Sequence, residues 1–70
     1  MCVDQDYAEA VRLYRLAAAQ EDAFAQYSLG LVFEKGEGVA QDTEEALRWF
    51  RLAAAQGDAD AVANLKQLGA

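Results

Sequence analysis

The sequence predicts an all-α fold, an α/α superhelix in which four antiparallel helices form about two helix pairs. The first observation behind this prediction is an internal repeat, because residues 10–20 return 36 positions later as residues 46–56. The second is that the 70 residues contain no proline and no strand-like alternation of apolar and polar residues. A repeat of this period, with helix-forming residues on both sides of each turn, is typical of a helical solenoid.

The first helix is predicted over residues 7–20. Asp6 is the expected N-cap, and Glu9, three residues later, is its expected capping-box partner. At 100° per residue, several apolar side chains share one face of this helix. The predicted core residues of the first helix are Ala10, Leu13, Tyr14 and Ala17.

The second helix is predicted over residues 23–34, with Asp22 as its N-cap and Gly36 in the left-handed position that ends it. One of its faces is expected in the core, next to Gly30, and is formed by Leu29, Val32 and Phe33. A second apolar stripe lies on the far side and is formed by Phe24, Tyr27 and Leu31. A helix with two apolar faces is either enclosed by neighbours or offers one face to a partner.

The third helix is predicted over residues 43–56, with Asp42 and Glu45 as a capping box and Gly57 at its end. Large rings alternate with alanines on its core face, which suits closely packed helices. The predicted core residues of the third helix are Ala46, Trp49, Phe50 and Ala53.

The fourth helix is predicted over residues 59–68, with Asp58 as its N-cap. Its expected core side is formed by Val62, Leu65 and Leu68, whereas its other side is mainly polar. A polar outer face is expected of a terminal, capping helix. The connections are short, so neighbouring helices should be antiparallel, and residues 1–70 should form a single domain.

Composition argues against several classes of function. The net charge of −6 disfavours a nucleic-acid partner, because phosphate binding needs a basic surface. The chain has no His and a single Cys, so no zinc site, disulfide or His-based catalytic triad can form. We therefore expect no enzyme activity, no cofactor and no metal.

The start of the sequence bears weakly on location. The first six residues lack the basic segment and apolar core of a signal peptide, and no apolar run is long enough to span a membrane. Cys2 is either an ordinary free thiol or a lipoprotein cysteine exposed by removal of a signal peptide. A free thiol and no signal favour the cytoplasm, although a periplasmic or secreted location stays open.

Residues 23–39, then Asp42, then residues 46–54 resemble a Sel1-like repeat, a relative of the tetratricopeptide repeat. The family pattern contains Gln-Tyr-Asn-Leu-Gly, Gly-x-Gly-Val and Ala-x-x-Trp-Tyr-x-x-Ala-Ala. In that register only residues 23–55 form a complete pair of an A helix and a B helix. The first helix resembles a B helix, and the fourth an A helix in which Lys66 replaces the family glycine. The complete repeat departs from the pattern at Ser28, Phe33 and Phe50.

The resemblance implies an α/α superhelix that binds a protein or peptide on the groove lined by its A helices. The groove-facing residues implied by position are Phe24, Tyr27, Ser28, Leu31, Glu34, Asp60, Ala63, Asn64 and Gln67. The apolar part of this set instead packs against neighbouring helices if the stripe on the second helix is structural. The alternative function is a self-associating unit, a homo-oligomer, or a fragment of a longer array of repeats.

Overall fold

The computed structural model describes residues 3–69, with side chains from residue 7 onward. Its regular structure consists of α1, Val3–Ala19; α2, Ala23–Lys35; α3, Thr43–Ala55; and α4, Ala59–Gln67. Consecutive helices pack against each other, so α2 lies between α1 and α3, and α3 between α2 and α4. The predicted all-α helical repeat is confirmed. Cys2 lies outside the described residues.

The predicted start of the first helix is wrong. α1 begins at Val3, so Asp6 has a helical backbone and lies inside the helix instead of capping it. The three residues before Asp6 include neither glycine nor proline, so nothing in the sequence stops the helix from extending upstream. Glu9 pairs with Arg12, one turn later, at 2.8 Å between carboxylate and guanidinium.

The other three helices begin at the aspartates that the sequence indicates. Asp22, Asp42 and Asp58 have extended backbones, and each carboxylate accepts a hydrogen bond from the backbone N–H three residues later. These bonds measure 3.1, 3.1 and 3.0 Å. Caps of this kind typically stabilise a helix by about 1 kcal/mol each.

The predicted capping box at α3 forms only in part. The backbone N–H of Asp42 donates to the carbonyl oxygen of Phe33, at 2.9 Å, and so does not need the Glu45 side chain. The Glu45 carboxylate instead lies 3.5 Å from the guanidinium of Arg48. The tertiary contact with α2 therefore replaces the local one that the sequence predicts.

The core lies mainly between α2 and α3. Leu29 and Phe50 are completely enclosed. Gly30 lets the two helices approach closely, because a Cβ at this residue would overlap the Phe50 ring. The buried cluster is completed by Val11, Ala18, Ala25, Val32, Phe33 and Ala46.

The outer helices differ from the predicted core pattern. Leu13 is 53% exposed, and α1 instead buries Val11 and Ala18. On α4, Val62 and Leu68 are exposed, although the neighbouring Leu65 packs against the core. Each outer helix packs extensively against only one other described helix, so side chains on its remaining faces stay in solvent.

Candidate binding surface

The predicted groove residues of α2 fall into two adjoining groups, which face different neighbouring helices. The first group is centred on Tyr27, whose ring is half-buried and tilted by 41° against Phe50, with 5.8 Å between ring centroids. The second group contains Ser28 and Leu31, which face α1 and line a cavity between α1 and α2. The one-residue step from Tyr27 to Ser28 separates the two groups because it turns a helix by about 100°.

Three carboxylates lie near enough to the Tyr27 phenol to influence its pKa, and they belong to Glu34 on α2, to the α4 cap Asp58 and to Asp60 on α4. Burial is the main reason that the pKa of Tyr27 lies above its ordinary value. Asp60 and Asp58 raise this pKa further through their negative charge, and Glu34 adds to the same effect. The polar side chain of Asn64 opposes the shift. The fold therefore brings predicted residues of α2 and α4 to one acidic locus around a tyrosine.

The carboxylates at this locus form no ion pair among the described side chains. The ion pairs that the described side chains do form join Glu9 to Arg12 on α1 and Glu45 to Arg48 on α3. The α2–α4 side of the molecule therefore keeps its negative charge open to a partner, whereas the α1 and α3 sides neutralise part of theirs.

The cavity between α1 and α2 has a volume of about 190 Å³. Ser28 is only 7% exposed and lines this cavity. The cavity combines aromatic, aliphatic and polar groups. Its lining residues are Tyr7, Ala10, Tyr14, Ser28, Leu31, Val32, Lys35 and Glu37.

The remaining predicted residues lie at the edges of the surface. Phe24 is 65% exposed at the start of α2, an unusual exposure for a large aromatic side chain. Ala63 and Gln67 are exposed on α4, and Gln67 is its last residue.

Two structural contacts were not apparent from the sequence. Gln26 is buried, and its side-chain oxygen accepts a 3.0 Å hydrogen bond from the Gln56 amide, which joins the start of α2 to the end of α3. Arg15, which the helical pattern places on the solvent side, lies with its guanidinium 5.6 Å from the Phe33 ring centroid. The repeated Ala-Ala-Ala-Gln segment that ends at Gln56 was the sequence signal available for the first contact.

A second, larger depression of about 360 Å³ lies along α3. Three of its lining residues already serve as the cap and the ion pair of α3, namely Asp42, Glu45 and Arg48. The lining residues are Asp42, Glu44, Glu45, Leu47, Arg48 and Arg51.

Two kinds of feature are absent from the described part of the chain. Residues 3–69 bring no three potential ligands together in a way that could hold a metal ion. None of the described helices has the length and apolar character needed to cross a membrane.

Comparison with known proteins gives one match. The family model of the Sel1 repeat matches residues 1–22 and residues 23–58. The second segment contains all of α2 and α3, and the first contains α1. Neither a curated protein nor a solved structure matches the chain significantly.

Proposed function

Because the chain belongs to the Sel1 repeat family, whose repeats generally mediate protein–protein interaction, we propose that it is a non-catalytic module that binds a protein or peptide on its α2–α4 face. The family is a non-catalytic repeat module. The proposal adds the location of the binding face and the chemistry of the partner.

The observation that carries this proposal is the composition of the α2–α4 face. Phe24 is exposed, and the charges of Glu34 and Asp60 act on the half-buried Tyr27. Aromatic side chains are enriched among the residues that dominate binding energy, and complementary charge speeds association and selects partners. The face therefore suits a segment that carries an apolar side chain next to Lys or Arg.

Self-association is the second function to consider, because both outer helices expose apolar side chains. These side chains are Leu13 and Leu16 on α1, and Val62 and Leu68 on α4. A stack of copies that repeated the α2–α3 packing would place Lys66 where Gly30 admits an aromatic ring. At Gly30 the aromatic ring leaves no room even for a Cβ, so the longer side chain of Lys66 disfavours such a stack. Sedimentation at several concentrations separates a monomer from an oligomer.

Photo-cross-linking tests the binding face directly. A benzophenone amino acid replaces Phe24 in one variant and Leu52, an exposed residue of α3, in a matched control. In lysate of the source cells, we expect a protein to be cross-linked from residue 24 and not from residue 52.

The charge of the face supplies the second arm of this test. Glu34→Gln combined with Asp60→Asn, in the residue-24 variant, should weaken cross-linking to a basic partner, and more so at low salt. Equal cross-linking from residues 24 and 52 would place the face elsewhere. Cross-links only between copies of the chain would favour the self-association alternative.

The predicted cytoplasmic location stays a prediction.

A further inference from the structure

The internal repeat shows which residues the fold requires at the turn between α1 and α2. A shift of 36 residues carries Glu21 onto Gly57 and Phe24 onto Asp60, so this turn corresponds to the turn between α3 and α4. Both turns have a left-handed residue followed by a capping aspartate. The second turn forms with glycine and aspartate at the two positions, so this type of turn needs neither the carboxylate of Glu21 nor the ring of Phe24.

The ring of Phe24 contributes little to the core. Phe24 is 65% exposed, the largest exposed fraction among the large apolar side chains of the described residues. It is not one of the residues that pack against the buried cluster. Water contact with an aromatic ring forgoes hydrophobic stabilisation, and aromatic side chains are enriched among the residues that dominate binding energy. The ring is therefore open to a side chain of a partner.

Glu21 keeps a backbone conformation that favours glycine. Its φ of 64° lies in the left-handed region, which Gly57 occupies at the equivalent position without steric cost. Non-glycine residues held in this region cluster at binding sites, where the side chain serves the ligand. The neighbouring Asp22 carboxylate accepts the hydrogen bond of the helix cap, whereas the Glu21 carboxylate forms none of the ion pairs among the described side chains.

The cations of the chain lie away from this turn. Residues 16–34 and residues 52–65 contain both turns and the adjoining helix ends, and they include neither Lys nor Arg. Arg15 is the cation nearest along the chain, but its guanidinium lies 5.6 Å from the Phe33 ring centroid, near the other end of α2. The negative charge at the turn is therefore open to a cation that a partner supplies.

The contact of Arg15 with Phe33 shows which cation suits an aromatic ring beside a carboxylate. A guanidinium is planar and stacks on an aromatic face, and its N–H groups can bind a carboxylate at the same time. The lysine ammonium is a compact, strongly hydrated charge that lacks this planar geometry. Glu21 and Phe24 flank the cap only three positions apart, so one arginine side chain can contact both.

We propose that Glu21 and Phe24 recognise an arginine side chain of the partner at the edge of the α2–α4 face. The guanidinium stacks on the Phe24 ring and forms an ion pair with the Glu21 carboxylate. Glycine at residue 21 would stabilise the turn but remove this contact. The inference rests on the proposed function, and it specifies the basic residue that the face selects.

The first test is selection from a library of random peptides, which needs no knowledge of the natural partner. The immobilised bait is the full chain, and the Glu21→Gly chain is used in a parallel selection. We expect arginine to be enriched in the peptides selected on the wild type and not in those selected on Glu21→Gly. Wild-type binders without an arginine would overturn the proposal.

The second test measures the affinity of a selected arginine peptide for variants of the chain by calorimetry. Glu21→Gln, Glu21→Gly and Phe24→Ala should each weaken binding roughly 2- to 5-fold. Glu44→Gln is the matched control, because it removes the same charge at the start of α3, and it should leave the affinity unchanged. Weaker binding to Glu21→Gly alone would assign the effect to the backbone and refute the ion pair.

Replacement of the peptide arginine tests whether the contact is direct. Citrulline keeps the shape of the side chain but removes its charge, and it should weaken binding to the wild type roughly 2- to 5-fold. In the Glu21→Gln chain the same replacement should have a clearly smaller effect, because the ion pair is already absent. Equal effects in the two chains would show that the arginine does not contact Glu21.

The stability of these variants supplies a readout that a structural role would not produce. Glu21→Gly should raise the free energy of unfolding while it lowers the affinity for the peptide. Glu21→Gln should lower the affinity with little change in stability. If affinity followed stability in both variants, the turn would act on binding only through folding, and the proposed contact would be wrong.

The two proposals can fail separately. A partner cross-linked from residue 24, together with selected peptides that lack arginine, would retain the binding face and reject the arginine site. A selection without any binder would also reject the arginine site. If, in addition, no protein were cross-linked, both proposals would be wrong.

Discussion

Glu21 has a left-handed backbone conformation, and at the equivalent position of the next repeat a glycine adopts it. Its φ is 64°, and it is the only non-glycine among the described residues with a positive φ. Gly57, 36 positions later, has a φ of 92°. Each residue follows the end of a helix and donates its backbone N–H to a helix carbonyl, Ala18 or Ala54, at 2.9 Å. The two helix ends thus share one motif, but only one has the residue that fits it.

Glu21→Gly should stabilise the protein. The left-handed conformation costs an L-residue about 1–2 kcal/mol, and the greater freedom of glycine in the unfolded chain cancels part of the gain. We expect the free energy of unfolding to rise by about 0.5–1 kcal/mol. Urea denaturation followed by the fluorescence of Trp49, the only tryptophan, measures this change.

Glu21→Gln is the control for this prediction. It removes the same negative charge but keeps the strained backbone, so its stability should stay close to that of the wild type. A Glu21→Gly variant no more stable than Glu21→Gln would contradict the backbone explanation. Gly57→Ala should show the opposite effect, a loss of stability, since a side chain at this position meets nothing within 4 Å and only the backbone conformation opposes it.

At the scale of the helices, the close approach of α2 to α3 depends on Gly30. A Cβ at this position would overlap the ring of Phe50, which is completely enclosed. Alanine normally stabilises a helix by about 1 kcal/mol relative to glycine, so a loss of stability here would be diagnostic of packing.

Gly30→Ala should lower the free energy of unfolding by about 1–3 kcal/mol, the usual cost of overpacking a core. Phe50→Leu in the same chain should relieve the overlap. We therefore expect the double variant to lose less stability than the sum of the two single variants, as measured by urea denaturation of all four proteins. Additive losses would show that Gly30 and Phe50 do not share this constraint.

The sequence predicted helix starts better than it predicted helix faces. Aspartates at residues 22, 42 and 58 mark the starts of α2, α3 and α4, because capping is a local interaction between residues three apart. The exposure of Leu13 was not predictable in this way. A helical wheel gives the direction of a side chain but not which neighbouring helix is there to cover it.

The candidate surface was predictable only in part for the same reason. The family resemblance supplied the list of groove residues, and the helix period supplied the stripe of Phe24, Tyr27 and Leu31. That Tyr27 turns to α4, whereas Ser28 and Leu31 turn to α1, depends on how three helices pack, which no local pattern encodes. Which of these residues contact a partner stays a prediction.

At the scale of the whole molecule, the helices form a linear stack. α2 and α3 each pack against two neighbours, whereas α1 and α4 each pack extensively against one. In such a stack the stability of a helix is approximately its own contribution plus that of its nearest neighbours. The outer helices should therefore open without unfolding of the centre.

Amide hydrogen exchange should display this order. We expect the slowest exchange in α2 and α3, and a lower opening free energy in α4, which has only nine residues and buries few side chains. Exchange measured by NMR in increasing, sub-denaturing urea gives the opening free energy of each helix. Leu65→Ala, which truncates an apolar side chain of α4 that packs against the core, should lower the opening free energy of α4 more than that of α2. Equal opening free energies in all four helices, with an equal response to Leu65→Ala, would instead mean that the stack unfolds as one cooperative unit.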